Sequence, residues 1–267
     1  YAHTDIKKDP HSGGRQMKCH FGTRLLNENG DWKTQTDMMN SVSDISCVSG
    51  QMPRIVGLAY ASKLYRNNKN LSDMENFSIN GNEVVFGTIG DASTSEGHFW
   101  EAINACGVLQ VPLIMSIWDD GYGISVPSEY HTTRNDLSKA LSGFQRSSKK
   151  ENGYEIFTVH AWDYINLLKT YQKAEKLARE DHVPCIIHVK DVTQPQGHTT
   201  SGSHERYKSK ERLNWEKDFC CIKRMREWII ENNFASNSEI DMIEKNAEDI
   251  AKKSRDRSWK SYRDDIK

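Results

Sequence analysis

The sequence lacks long apolar runs and paired-cysteine motifs, and these absences narrow the possible classes of protein. No apolar run approaches the roughly 18 residues of a membrane-spanning helix, so we expect no membrane partner. The six cysteines include no CxxC pair, and we interpret them as reduced thiols rather than a disulfide framework. This use of cysteine predicts a cytoplasmic protein.

An excess of charge of either sign is also missing. Lys and Arg number 36 and Asp and Glu number 37, for a formal net charge of −1. Such a balance gives no general attraction to nucleic acid. The glycines at 87, 90 and 97 do not form GxGxxG, and no GxxxxGK[ST] occurs, so a dinucleotide fingerprint and a P-loop are excluded.

Apolar strand-like runs alternate with helix-like segments through the middle of the chain. Helices are predicted at 51–66, 95–109 and 164–180, and strands at 83–89, 111–118, 155–160 and 184–190. This alternation predicts an α/β fold with a parallel sheet and helices on both faces. We expect 1–267 to form a single domain, with 1–50 mostly loop and a helical tail over 209–267.

Acidic residues follow two of these predicted strands. Asp91 comes directly after the first strand, and Asp119 and Asp120 come after the second. Because consecutive parallel strands are usually neighbours and ligands collect at their carboxyl ends, the acids are expected to converge around a cation such as Mg²⁺. A second interpretation fits the spacing equally well: Asp91 caps a helix and Asp119–Asp120–Gly121 forms a turn.

The stretch "GDASTSEGHFWEAIN" followed by "DDGYGIS" resembles the thiamine diphosphate motif. More narrowly, it resembles the α subunit of the decarboxylating component of 2-oxo acid dehydrogenase complexes, and "SGGRQM", "SGQMPRIVGLAYASK" and "GHTTSGSHERYK" extend the resemblance over nearly the whole chain. The resemblance implies a thiamine diphosphate-binding fold, with thiamine diphosphate and Mg²⁺ as cofactors. It implies an oxidoreductase that decarboxylates a 2-oxo acid and transfers the acyl unit to a lipoyl group.

The resemblance also assigns roles to individual residues. Metal ligands would be Asp91, the Asp120 side chain and the backbone carbonyl of Tyr122, and His198 would be the catalytic histidine that contacts cofactor or substrate. The expected cofactor-binding residues are Ser46, Val48, Asp91, Ala92, Ser93, Asp120, Tyr122, Ile124 and His198. The family usually has an Asn pair where this chain has Asp119 and Asp120, and the added charge beside a diphosphate puts cofactor binding in doubt.

Other segments carry weaker expectations. Arg15 and His20 lie in a stretch similar to the family's site entry, where they would face the substrate carboxylate or serve the structure. His131 is expected in a loop at the rim of the site, and Thr199–Ser201 lies where some relatives are phosphorylated. The family's diphosphate-binding Arg would precede Tyr1, so we expect the chain to be a piece of a longer protein.

The resemblance further implies partners. The family's catalytic glutamate comes from a β subunit or a fused β half, so we expect no activity from this chain alone and a dimer or heterotetramer with its β half. The acyl acceptor would be a lipoyl acyltransferase core. The substrate stays open between pyruvate and a branched-chain 2-oxo acid. Two alternatives remain: a transketolase-like thiamine enzyme domain, or a non-catalytic α-like assembly subunit.

Overall fold

The structure, a computed structural model, describes residues 24–38, 42, 45–198 and 202–266. It separates into two compact units, one extending to Lys208 and one beginning at Ser209. The boundary coincides with the predicted start of the helical tail. The assignment of 1–267 to a single domain stays a prediction.

The first unit is built on a parallel sheet. Its elements in chain order are α1 (Met52–Asn67), β1 (Val85–Gly90), α2 (Gly97–Leu109), β2 (Leu113–Trp118), β3 (Tyr122–Gly123), β4 (Val126–Pro127), α3 (Leu137–Ala140), β5 (Glu155–His160), α4 (Tyr164–Asp181) and β6 (Cys185–Lys190). Four strands pair in the order β1-β2-β6-β5, all parallel. The predicted parallel α/β sheet is therefore confirmed.

Helices cover both faces of this sheet because successive side chains of a strand point to opposite sides. On β2, Leu113, Met115 and Ile117 join a core with residues of α1 and α2. Between them, Ile114 joins a second core with α4, β5 and β6. The near-continuous apolar sequence of β2 follows from burial on both faces.

The predicted elements are present with their ends displaced by at most two residues. The helix predicted from residue 95 begins at Gly97, and a separate 3-10 helix that was not predicted, Ala92–Ser95, precedes it. The short antiparallel pair of β3 and β4 and the one-turn helix α3 were not predicted. Each of these elements has two to four residues, too few to show a hydrophobic period.

The second unit is helical, as predicted. It contains α5 (Lys210–Asp218), α6 (Cys221–Glu231) and α7 (Asn237–Ile266). Ser209 caps α5 by accepting a hydrogen bond from the backbone N–H of Arg212 at 3.1 Å. Over the described ranges of the chain, no helix has both the length and the apolar character needed to cross a membrane, and the described cysteines form no disulfide.

Candidate functional site

Three strand ends meet at one edge of the sheet and bring the acidic residues together. Gly90 is in register with Trp118, and the N–H of Asp91 donates to the Trp118 carbonyl at 3.1 Å. The N–H of Asp119 in turn donates to the carbonyl of Val189 on β6 at 2.9 Å. The main chain at both predicted acidic positions is thus held by backbone hydrogen bonds at the carboxyl edge, where ligands bind in open parallel sheets.

A cavity of about 600 Å³ opens at this edge. Eight of the nine predicted cofactor-binding residues line it: Val48, Asp91, Ala92, Ser93, Asp120, Tyr122, Ile124 and His198. The wall is completed by residues that were not predicted, namely Gly90, Trp118, Gly123, Val192, Thr193 and Gln194. Segments more than a hundred residues apart in sequence, around Val48 and His198, therefore share one cavity.

Ser46 is exposed and does not line the cavity, and its contact with the aminopyrimidine ring stays a prediction. Three residues on, Ser49 is buried in a left-handed conformation with φ +57°. Its hydroxyl donates to the carbonyl of Ser93 at 2.7 Å. This bond fixes the segment that carries Val48 against the turn that carries Ala92 and Ser93.

Asp91 is the electrostatic centre of the site. It is only 4% exposed, and burial together with the nearby charges of Asp119 and Asp120 raises the pKa of its carboxyl to about 8. Its Oδ2 atom is buried without a hydrogen-bond partner. A buried carboxylate oxygen that accepts no hydrogen bond and lies next to two further acids is in an environment that a bound cation would neutralise.

Asp119 is held away from this role by its own partners. Its Oδ2 lies 2.8 Å from Nε2 of His188, and its Oδ1 accepts the N–H of Gly121 at 2.9 Å. Burial acts to raise the pKa of the Asp119 carboxyl, but the hydrogen bond and charge of His188 outweigh it and the pKa is lowered. Both carboxylate oxygens of Asp119 are therefore engaged.

Asp120, in contrast, lines the cavity. Its Oδ1 accepts the N–H of Tyr122 at 3.1 Å, across the left-handed turn at Gly121, where φ is +79°. Glycine adopts this conformation without steric cost. The turn sets the carboxylate of Asp120 and the main chain of Tyr122 on the cavity wall together.

The hairpin of β3 and β4 packs closely against the turn after β1. A Cβ atom on Gly123 would lie 2.7 Å from the Cβ of Ala92, which is closer than carbon atoms approach. Gly123 is therefore required by the close approach of the two segments. This packing sets the width of the cavity between them.

His131 was expected in a loop at the rim, but its side chain is mostly buried. Its Nε2 lies 3.9 Å from Oδ2 of Asp91, and neither atom has a hydrogen-bond partner. Nothing in the local sequence around His131 signals this contact, which is made across about forty residues. His188 was also missed, although a single histidine within the apolar run "CIIHVK" is a signal of a buried, hydrogen-bonded side chain.

Several of the residues singled out in the sequence cannot be placed in the site. Arg15, His20 and Thr199–Ser201 fall outside the described residues. Within the residues that are described, no group of three or more His, Cys, Asp and Glu side chains is arranged to hold a metal by itself. A cation at Asp91 and Asp120 would therefore need oxygen ligands from the backbone, a ligand or water.

The sequence is similar to a known protein family and to α subunits of two kinds of 2-oxo acid dehydrogenase. The sequence family described as dehydrogenase E1 component matches residues 8–263. The pyruvate dehydrogenase E1 component subunit alpha of Rickettsia bellii is 27% identical over 206 residues, covering 77% of this chain and 56% of the relative. The mitochondrial 2-oxoisovalerate dehydrogenase subunit alpha of Dictyostelium discoideum is 27% identical over 256 residues, covering 95% of this chain and 50% of the relative.

Among solved structures, transketolase from Campylobacter jejuni matches with a TM-score of 0.43 and 18% sequence identity. That match covers 66% of this chain and 25% of the transketolase chain. The chain spans about half the length of the curated relatives it matches.

Proposed function

The chain belongs to the dehydrogenase E1 component family, and on that premise we propose that it is the α half of a thiamine diphosphate-dependent 2-oxo acid dehydrogenase. Its role would be to hold the diphosphate and the metal while the whole enzyme decarboxylates a 2-oxo acid. The relatives, which are subunits of pyruvate and 2-oxoisovalerate dehydrogenases, support an oxidoreductase of this class. They leave the substrate between pyruvate and a branched-chain 2-oxo acid.

The observation that supports the proposal best is the buried, unpartnered Oδ2 of Asp91 at the cavity edge. Asp91, the Asp120 side chain and the backbone carbonyl of Tyr122 would hold Mg²⁺, a hard cation that prefers oxygen ligands. Two carboxylates are a typical protein contribution when phosphate oxygens complete the coordination. The donor set on this wall therefore fits a magnesium diphosphate.

The remaining lining residues suit the rest of such a ligand. Backbone N–H groups of Ala92 and Ser93 would face the diphosphate, while Val48 and Ile124 offer apolar surface to its rings. When bound, thiamine diphosphate supplies the carbanion chemistry that removes CO₂ from a 2-oxo acid. His198 lines the same cavity, where an imidazole would hydrogen-bond the diphosphate or a substrate oxygen.

The surface around the cavity supports the need for a β half. Val48 is 56% exposed and Trp118 is 51% exposed. Ile124, in the same cavity lining, is 48% exposed, and a group of exposed apolar side chains is characteristic of a surface that a second protein covers. We propose that a β subunit or fused β half packs there and completes the catalytic site, and that a lipoyl acyltransferase core accepts the acyl unit.

Turnover by the reconstituted enzyme tests this function. The full-length protein with its β half, thiamine diphosphate and Mg²⁺ should decarboxylate pyruvate or a branched 2-oxo acid, and should not transfer ketol units between sugar phosphates. Asp120→Ala should abolish this turnover. Decarboxylation by the α chain without a β half, or equal activity of Asp120→Ala, would contradict the proposal.

A further inference from the structure

A row of hydrogen-bonded polar side chains crosses the sheet behind the site, and its central member, His188, is buried. His188 on β6 is 0% exposed. Its Nε2 lies 2.8 Å from Oδ2 of Asp119, and its Nδ1 lies 2.6 Å from the hydroxyl of Ser138 on α3. The Ser138 hydroxyl is in turn 2.8 Å from that of Thr158 on β5. The row therefore links the end of β2 to three other elements.

The donors and acceptors of this row match along its length. A carboxylate only accepts hydrogen bonds, so Nε2 of His188 carries the proton and donates to Asp119. On the other side of the ring, Nδ1 is paired with the hydroxyl of Ser138 and that hydroxyl with Thr158, and a hydroxyl can either donate or accept. Hydrogen bonds at both ring nitrogens fix the orientation of the buried member, His188.

The backbone holds Asp119 in the same place. Its N–H donates to the carbonyl of Val189 at 2.9 Å, and its carbonyl accepts the N–H of Val192 at 3.0 Å. With Oδ1 engaged by Gly121 and Oδ2 by His188, Asp119 can reach the cavity only by breaking buried hydrogen bonds. The carboxylate of this third acid is therefore held out of the lining of the cavity that Asp91 and Asp120 share, although its charge still acts on Asp91.

We propose that His188 is a positioning residue for the cofactor site, which holds the Asp119 carboxylate behind the cavity so that only Asp91 and Asp120 face the cation. This inference rests on the proposed function. It explains how the chain accommodates an acid at position 119 beside a site for an anionic diphosphate. Without His188, a third carboxylate would turn toward the cation and repel the diphosphate.

Titrations with Mg²⁺ and with thiamine diphosphate distinguish a positioning role of His188 from a packing role, because the affinities for the two ligands should change in opposite directions. In the full-length protein with its β half, His188→Leu should bind Mg²⁺ alone more tightly than wild type, because a third carboxylate becomes available. It should bind thiamine diphosphate at saturating Mg²⁺ about tenfold more weakly, because that carboxylate repels the diphosphate. A variant that is merely damaged would weaken both titrations.

A double-mutant cycle supplies the second readout. Asp119→Asn removes the charge, so adding it to His188→Leu should return thiamine diphosphate affinity to within about threefold of Asp119→Asn alone. His188→Gln keeps an N–H donor near the position of Nε2 and should retain affinity near that of wild type. The matched control is His182→Asn. His182 is a buried histidine just before β6, at the opposite end of that strand from the cavity, and asparagine tolerates its left-handed φ of +53°. The affinities of this variant for Mg²⁺ and thiamine diphosphate should equal those of wild type.

If His188→Leu and Asp119→Asn each weaken thiamine diphosphate binding and their fold losses multiply in the double variant, the proposal is overturned and His188 is a packing residue. Weaker Mg²⁺ binding by His188→Leu would overturn it as well. If the wild-type protein binds Mg²⁺ but no thiamine diphosphate, the proposed function fails, and the Mg²⁺ titrations alone then decide whether His188 controls Asp119.

Discussion

Replacing Asp91 by Asn should stabilise the metal-free protein at neutral pH, although it removes a residue of the site. The carboxyl of Asp91 is 4% exposed and has a pKa of about 8 instead of its ordinary 3.8, because of burial and then of Asp119 and Asp120. Because the pKa of this carboxyl is raised in the native state, Asp91 does not lower the free energy of unfolding below pH 3.8. The free energy of unfolding then falls as the pH rises from 3.8 through about 8, where the native carboxyl ionises. The amide of Asn mimics the neutral acid and does not ionise.

The size of the effect follows from linkage. Each pH unit between the two pKa values costs the native state about 1.4 kcal/mol. At pH 7 the accumulated cost of the Asp91 carboxyl is therefore roughly 4 kcal/mol as an upper limit. Asp91→Asn should match wild type in stability near pH 4 and exceed it progressively as the pH rises to 8.

Urea unfolding at a series of pH values, with a chelator present, measures this difference. The exposed Asp73→Asn is the control and should follow wild type at every pH. Added Mg²⁺ should stabilise wild type but not Asp91→Asn, because a ligand stabilises only the form that binds it. A difference between Asp91→Asn and wild type that does not change with pH would refute the reasoning, since Asp91 would then be ionised and compensated without a cation.

Two further substitutions test the packing and the charges near the site. Gly123→Ala places a Cβ 2.7 Å from that of Ala92 and should weaken cofactor binding by about tenfold in a calorimetric titration, an effect that a second change, Ala92→Gly, should largely reverse. An oxygen of Asp136 lies 2.8 Å from Nζ of Lys190. Burial acts to raise the pKa of the Asp136 carboxyl, but the hydrogen bonds from Lys190 and from the backbone N–H of Lys139, together with the charge of Lys190, lower it. Asp136→Asn should cost roughly 0.5 to 1 kcal/mol of unfolding free energy at pH 7, and the loss should disappear as the pH falls through the lowered pKa; a loss that persists in acid would contradict the ion pair.

The sheet and the position of the site were predictable because strand ends are encoded locally. The apolar runs that end at Gly90 and Trp118 carry their acids at the next residue, and parallel pairing brings those ends to one edge. The same local signals predicted the helices of both faces. The sequence pattern is therefore informative wherever burial follows a regular period.

The finer arrangement of the acids was not predictable from such patterns. The different environments of Asp119 and Asp120 depend on a histidine about seventy residues away in the sequence, on β6. The burial of His131 against Asp91 and the left-handed turn at Ser49 likewise depend on contacts between distant segments. The spacing of these residues along the sequence does not predict those contacts.

Calorimetric titration of thiamine diphosphate, with and without Mg²⁺, into the full-length protein with its β half tests the central claim most directly. Saturable binding that requires Mg²⁺, and that Asp120→Ala removes, is the predicted result. An absence of binding heat at any Mg²⁺ concentration, under conditions where the two halves assemble, would contradict the account and indicate an assembly subunit without a cofactor.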